Sequence, residues 1–239
     1  MITSLSNPRM KDYAKLTKKK YRDATNMFIV EGEHLVIEAA RAGVIREVIA
    51  LSSHPDFKQA TLVNEAVMKK ITDTKTAPRI IAVCNFALSD TLHKRVLLLE
   101  KVQDPGNMGT LLRSALAFNF RSIILDDCVD ILNPKVLRST QGAIFHLAVR
   151  YTDAQTFKKT HPEYTMIATA ITQKGSPSYP SEPFVLMLGN EGQGLEPSTE
   201  ALADTTVHIP TETVESLNVG VAGSILMQAL TQKRIFTTK

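Results

Sequence analysis

The feature that most constrains the fold of this chain is the alternation of short apolar runs with helical segments through its second part. Such alternation is typical of a mostly parallel sheet covered by helices on both faces. Ligands of these sheets bind beyond the carboxyl ends of the strands. The segments that follow residues 100, 188 and 209 are therefore the first candidates for a site. The expected strands span about residues 96–100, 122–126, 146–150, 165–170, 184–188 and 206–209, and a last helix starts near Ser216.

The first part of the chain predicts a smaller α/β unit. It begins with a basic helix, continues with a helix that starts near Glu33 and ends at Gly43, and adds strands near residues 46–51 and 79–83. The apolar pattern weakens after Cys84, and a new apolar run begins at Val96. We therefore place one domain boundary near residue 90, which divides the chain into residues 1–90 and 91–239.

Positive charge is concentrated at the N-terminus. Residues 1–22 carry seven basic side chains and one acidic side chain, whereas the whole chain has a net charge of only +4. A helix that starts at residues 6–8 would place several of these cations on one face, which suits the phosphate backbone of a nucleic acid. A solvated helix face is the ordinary alternative. The candidate nucleic-acid-binding residues are Arg9, Lys11, Lys15, Lys18, Lys19 and Arg22.

Membrane, secretory and metal-dependent functions find no support in the sequence. No apolar run is long enough for a membrane span, and the N-terminus lacks the pattern of a signal peptide, so we expect a cytoplasmic protein. Cys84 and Cys128 are not spaced as metal ligands, and the six histidines are scattered. We therefore expect no bound metal.

The first candidate strand end covers residues 103–109 and leads into a helix that carries Arg113. Glycine and proline favour a tight turn here, and Asn107 is a candidate helix cap, so a purely structural role is one interpretation. Arg113 lies among apolar and small side chains, where a guanidinium would be costly without an anionic partner. We therefore expect Arg113 to have such a partner.

The second and third strand ends are rich in glycine and polar residues. Residues 189–194 read G-x-x-G-x-G, the reverse of the dinucleotide-binding order, so a nicotinamide-dependent oxidoreductase is disfavoured while a plain connection stays open. Residues 209–218 open the last helix, with Ser216 as a candidate cap. Gly220 and Gly223 inside that helix cost about 1 kcal/mol each relative to alanine, which indicates close packing against a neighbouring backbone, within the chain or at a subunit interface.

Taken together, the three strand ends resemble the motifs of the SpoU/TrmH family of RNA ribose methyltransferases, within the SPOUT superfamily. The motif D-P-x-N-x-G-x-x-x-R is matched by residues 104–113, G-x-E-G-x-G by residues 189–194, and I-P followed by S-L-N-V by residues 209–210 and 216–219. The first domain resembles the family's RNA-binding extension, through Asn7-Pro8, residues 18–22 and residues 28–32. One departure is the loop 210–216, where relatives usually have a glycine.

The resemblance implies a fold, a reaction and partners. The fold is an α/β sheet tied in a deep trefoil knot, preceded by a small α/β domain similar to ribosomal RNA-binding proteins. The reaction is methylation of a ribose 2'-hydroxyl in RNA with S-adenosylmethionine as cofactor, by a homodimer that associates through the knot helices. The basic N-terminus favours ribosomal RNA as substrate, and transfer RNA or a non-catalytic role in ribosome assembly are the alternatives.

The resemblance also implies the residues of the site. We hypothesise that Arg113 binds the RNA phosphate and stabilises the developing alkoxide, with Glu191 orienting it, because a guanidinium is a poor proton acceptor near neutral pH. The implied catalytic residues are Arg113, Asn107, Glu191, Ser216 and Asn218. The implied cofactor-binding residues are Leu188, Gly189, Gly192, Ile209, Pro210 and Leu217.

Overall fold

The computed structural model describes residues 1–169, 181–214 and 216–231. They form two compact units, one made of Met1–Ala87 with Asp130–His146, the other of Leu88–Val129 with Leu147–Lys239. The sequence predicts a single boundary near residue 90 and does not anticipate that Asp130–His146 joins the first unit.

The helices and strands follow one another in a mixed α/β order. The helices are α1 (Pro8–Lys15), α2 (Lys19–Thr25), α3 (Glu33–Arg41), α4 (Glu65–Ile71), α5 (Pro105–Ala117), α6 (Pro134–Thr140), α7 (Ala154–Thr160), α8 (Pro197–Glu200) and α9 (Val219–Leu230). The strands are β1 (Met27–Glu31), β2 (Ile45–Ala50), β3 (Thr61–Leu62), β4 (Ile80–Asn85), β5 (Arg95–Glu100), β6 (Ser122–Asp126), β7 (Ala148–Tyr151), β8 (Thr165–Thr169), β9 (Phe184–Leu188) and β10 (Thr205–Val207).

The first unit is built on a four-stranded sheet in the order β1-β4-β2-β3. Helix α1 begins as predicted, because the Asn7 side chain accepts a hydrogen bond from the Met10 amide and Pro8 fills the first turn. The buried side of α1 contributes Met10 and Tyr13 to a core that also contains Val67 and Met68 of α4.

The predicted basic stripe does not lie on one helix. Helix α1 ends at Lys15 and α2 starts at Lys19, since the chain turns at Leu16, whose side chain enters the core. Arg22 is only 3% exposed, is paired with Asp130 and donates to the Leu16 carbonyl at 2.6 Å. The assignment of Arg22 to an exposed RNA-binding stripe is therefore wrong: this guanidinium stabilises the interior of the first unit.

The second unit is a six-stranded sheet in the order β10-β8-β9-β5-β6-β7, and every neighbouring pair is parallel. The predicted parallel α/β sheet is confirmed, with each strand within two residues of its expected ends. The two central strands, β5 and β9, are buried along almost their whole length. This order places the carboxyl ends of β5 and β9 side by side, with those of β8 and β10 beyond them.

Within the described ranges, no helix combines the length and the apolar character that crossing a membrane requires.

Candidate active site

A cavity of about 200 Å³ lies at the carboxyl end of the second unit's sheet. Its walls come from the segments that follow β9 and β10 and from the first turns of α9. Seven of the predicted site residues line it: Leu188, Gly189, Glu191, Gly192, Ile209, Ser216 and Leu217. Pro210, which the resemblance also assigned to cofactor binding, is not among the lining residues.

The glycine loop (residues 189–194) is a closed turn. Asn190 and Gly194 exchange two backbone hydrogen bonds of 2.9 Å each, and Gly194 has a φ of +73°. The Asn190 side chain accepts from the Gly192 amide at 2.9 Å and donates to the Lys101 carbonyl at 2.9 Å, which ties the loop to the end of β5. A Cβ atom on Gly189 would lie 2.1 Å from the Gly194 carbonyl, so only glycine fits there.

Glu191 joins this loop to the start of α5. Its carboxylate accepts from the backbone amides of Asp104 (2.9 Å) and Gln103 (3.2 Å) and from Nδ2 of Asn107 (3.3 Å). Burial by itself would raise the pKa of this carboxyl, but the backbone and side-chain hydrogen bonds outweigh it and hold the pKa below its ordinary value. Glu191 therefore stays ionised and acts as an acceptor.

Asn107 and Asn218 continue the connection to α9. Because Glu191 only accepts, the Asn107 amide nitrogen must face it, which turns the Asn107 oxygen towards Asn218. Nδ2 of Asn218 donates to that oxygen at 2.9 Å, and its own Oδ1 caps α9 by accepting from the Gly220 amide at 2.9 Å. One directed chain of hydrogen bonds thus links the segments after β5, β9 and β10.

The two helix caps differ from the predicted ones. Asp104 caps α5 by accepting from the Asn107 amide at 2.8 Å, with Pro105 in the first turn. Asn218 caps α9 in place of Ser216. The predicted caps Asn107 and Ser216 are thereby left free for other contacts, and Asn107 uses its side chain in the hydrogen-bond chain.

Glu100 is a site residue that sequence reasoning missed. It is 2% exposed at the end of β5, and its carboxylate accepts from the Glu196 amide at 2.7 Å and from the Thr199 hydroxyl. Lys101 pairs with the Glu196 side chain. These contacts fix the chain just after the glycine loop. The signal was present, since an acid that ends a strand buried on both faces requires internal partners.

Comparisons with known proteins agree with this geometry. Residues 94–228 match the model of the SpoU rRNA Methylase family, and residues 7–82 match an MRM3-like substrate binding domain. The chain belongs to the SpoU rRNA methylase family. Its resemblance to that family, inferred above from three motifs, is therefore confirmed.

Relatives within the SpoU family align along nearly the whole chain. The 23S rRNA (guanosine(2553)-2'-O)-methyltransferase RlmP of Bacillus subtilis is 35% identical, over 96% of this chain and 98% of that protein. An uncharacterized tRNA/rRNA methyltransferase of Synechocystis is 31% identical, over 95% of this chain and 91% of that protein. The crystal structure of an AdoMet-bound rRNA methyltransferase from Sinorhizobium meliloti is 28% identical, with a TM-score of 0.84 and 96% of each chain covered.

Arg113, the last residue of the first SpoU motif, is exposed on α5. None of the described residues forms a hydrogen bond or an ion pair with it, and Glu191 is bound instead to Asn107 and the backbone before α5. Glu191 therefore does not bind Arg113 as hypothesised, and the partner expected for this guanidinium, an RNA phosphate, stays a prediction. The helical turn directs Leu111 and Leu112 into the core and Arg113 to solvent.

The glycines of α9 pack against α5 in this SpoU fold. A Cβ on Gly220 would lie 3.3 Å from the Thr110 side chain, and one on Gly223 would lie 2.4 Å from that of Leu111. Close packing is confirmed, although the contacts are side chains of the same chain. Ser114 and Ser224 share a hydrogen bond of 2.7 Å across the same helix pair.

Proposed function

We propose that this chain transfers the methyl group of S-adenosylmethionine to a ribose 2'-hydroxyl of ribosomal RNA. The observation that carries the proposal is the chain of hydrogen bonds through Glu191, Asn107 and Asn218, which joins all three SpoU motifs beside one cavity. Membership of the family and the full-length likeness to a 23S ribosomal RNA 2'-O-methyltransferase support the same reaction.

The lining of the cavity suits S-adenosylmethionine. Leu188, Ile209 and Leu226 offer an apolar wall for a flat adenine ring, and the glycine loop exposes backbone donors and acceptors to its edges. When bound, the cofactor would supply a methyl group on a sulfonium, whose sulfur becomes a neutral thioether when the methyl group moves to oxygen, while the proton of the hydroxyl is released to solvent. The glycine loop can close because the backbone of Gly194 lies against Gly189, where no side chain fits.

We assign the polar residues of the site the role of holding its loop and helices in place, and not the removal of a proton. Amide N–H groups donate to the Glu191 carboxylate, so we assign this residue the role of holding the glycine loop against the start of α5. Asn107 and Asn218 keep α5 and α9 in register beside the cavity. Ser216 lines the cavity and is exposed, so its hydroxyl is available to bind the substrate ribose.

Arg113 fits this scheme best in a homodimer. Arg113 is exposed on α5, and the neighbouring helix α9 exposes the apolar side chains of Val221 (47% exposed) and Ile225 (42% exposed). Apolar side chains exposed at helical spacing suit a self-complementary dimer interface. In such a dimer, Arg113 would bind the RNA phosphate and stabilise the developing alkoxide in the site of the other subunit.

The proposal also includes the trefoil knot of the family for this chain and a cytoplasmic location for the protein.

Mixing two inactive variants tests the role assigned to Arg113. Arg113→Ala and Asn218→Ala damage different parts of the site, so a mixed dimer retains one intact combination. If subunits exchange at random, about a quarter of the native activity should return. An inactive mixture that is shown to contain mixed dimers would place Arg113 in its own subunit's site.

The substrate is tested in cells. Ribose methylation is mapped in ribosomal and transfer RNA from cells with and without the protein. We expect one ribose methyl group to disappear from ribosomal RNA and to return with the native chain, but not with Asn107→Ala. Loss from transfer RNA instead would redirect the substrate, and unchanged maps would contradict the proposal.

A further inference from the structure

We infer that the first unit carries a groove for single-stranded RNA, in which Phe57 stacks on a base while Arg46 and Lys58 bind the neighbouring phosphates. The groove lies between β2 and residues 55–60, and the cavity along it has a volume of about 540 Å³. The inference rests on the proposed function, since it names where the RNA substrate is held.

The predicted basic stripe offers fewer free cations to RNA than the sequence suggests. Arg22 is buried, whereas Lys15 pairs with Asp12 and Lys19 with Asp23, both at 2.7 Å on the surface. Exposed pairs of this kind break at little cost, so Lys15 and Lys19 remain usable, but Arg22 does not. Further cations that face solvent without a partner are therefore the natural places to look for phosphate contacts.

Arg46 and Lys58 meet this description. Both are exposed, and the described part of the chain contains no group that forms an ion pair with either. Strand β3 pairs with β2 only at Ile49 and Ala50, so residues 45–48 border the groove without a neighbouring strand on that side. The backbone is thus open at the point where the two cations flank the groove.

The acidic side chains of the groove do not cancel this charge. Glu47 accepts from the Tyr13 hydroxyl at 2.6 Å and the Thr61 hydroxyl at 2.7 Å, and it pairs with Arg9 at 3.3 Å. Arg9 itself is one of the predicted RNA-binding residues, so the groove continues into that surface. Three cations then stand against Glu47 and the exposed Asp56.

Phe57 gives the groove its preference for a nucleotide over an acidic peptide. Its ring is half-buried and packs against the His54 ring, with 5.3 Å between the ring centroids. An aromatic ring that is held in place and reaches solvent between cations is the usual platform for an unpaired base. An acidic peptide would use the cations and leave the ring without a partner.

Binding of a short fluorescein-labelled single-stranded RNA, titrated at several salt concentrations, tests the inference. Removing both cations (Arg46→Ala with Lys58→Ala) should lower the steepness of log K against log salt by about 1.5, since each phosphate contact contributes roughly 0.7 to 0.9. The matched control is Lys69→Ala with Lys75→Ala, two exposed lysines of the same unit, which should leave the salt dependence nearly unchanged.

The aromatic contact has its own signature. Phe57→Leu keeps an apolar side chain but no ring, so it should weaken binding about tenfold without changing the salt dependence, and Phe57→Tyr should restore it. Thermal melting checks that each variant is folded. Any of three results would overturn the inference: a native salt dependence in the double variant, native affinity of Phe57→Leu, or displacement of the probe by polyglutamate as effective as by unlabelled RNA.

Calorimetric titration of the same variants with S-adenosylmethionine separates this inference from the proposed function. All groove variants should bind the cofactor like the native chain. If the native chain itself fails to bind the cofactor, the proposed function fails, whereas the RNA titrations still test whether the groove binds single-stranded RNA.

Discussion

Replacing Gly189 by alanine tests the closed glycine loop. The new Cβ would stand 2.1 Å from the Gly194 carbonyl and 2.2 Å from the Leu195 nitrogen, both of them backbone atoms. Relief of this overlap must open the turn between Asn190 and Gly194, whose two hydrogen bonds are worth about 1 kcal/mol each. Overpacking adds about 1 to 3 kcal/mol, so we expect a total of roughly 3 to 5 kcal/mol.

Thermal unfolding without cofactor and calorimetry with S-adenosylmethionine measure this effect. A loss of this size should lower the melting temperature by roughly 6 to 20 °C. Cofactor affinity should fall about 30-fold or more, since each 1.4 kcal/mol is tenfold. Gly192→Ala is the matched control for stability, because its Cβ would meet only the Asn190 side chain at 3.6 Å. A Gly189→Ala chain as stable as Gly192→Ala, with native affinity, would refute the reasoning.

Three further predictions concern the same site. Asn218→Asp keeps the cap of α9 but removes the donor to Asn107. The melting temperature should therefore stay unchanged while kcat/KM falls roughly tenfold or more. Unchanged kinetics would show that the hydrogen bond is dispensable. Thr199→Val leaves the buried Glu100 carboxylate short of a donor and should destabilise the chain by about 1 to 3 kcal/mol in thermal unfolding, whereas Thr199→Ser should not; equal effects would argue against the contact. The pKa of Glu191 lies below its ordinary value of 4.5, so its contribution to the site should be complete above that pH and be lost as the pH falls through the lower pKa of the folded state. Cofactor affinity measured against pH tests this, and Glu191→Gln should remove the pH dependence.

The sheet of the second unit was predictable because its central strands are buried on both faces. The centre of β5, Val96 to Leu99, is apolar throughout, and turn residues follow within a few positions, so its approximate bounds can be read from the sequence. The three motifs then identified the loops of the site. The hydrogen-bond chain through Asn107 could not be predicted, since it depends on which end of each amide faces its neighbour.

The first unit was predicted less completely. Strand β1 and helix α4 were missed, although Asn64 accepts a hydrogen bond from the Val67 amide and marks the start of α4 in the usual way. Periodicity also extended the basic helix through Leu16, because spacing alone does not show that a side chain turns into the core. The burial of Arg22 depends on Asp130, which is 108 positions away in the sequence, beyond the range of any local pattern.

The most direct test of the central claim is methyl transfer with purified components. The chain is incubated with methyl-labelled S-adenosylmethionine and an unmodified ribosomal RNA transcript, and the digested nucleosides are separated by chromatography. We expect the label in one 2'-O-methylnucleoside, and none when Asn107 is replaced by alanine. Label on a base, or no transfer by a chain that is folded and binds the RNA, would contradict the account.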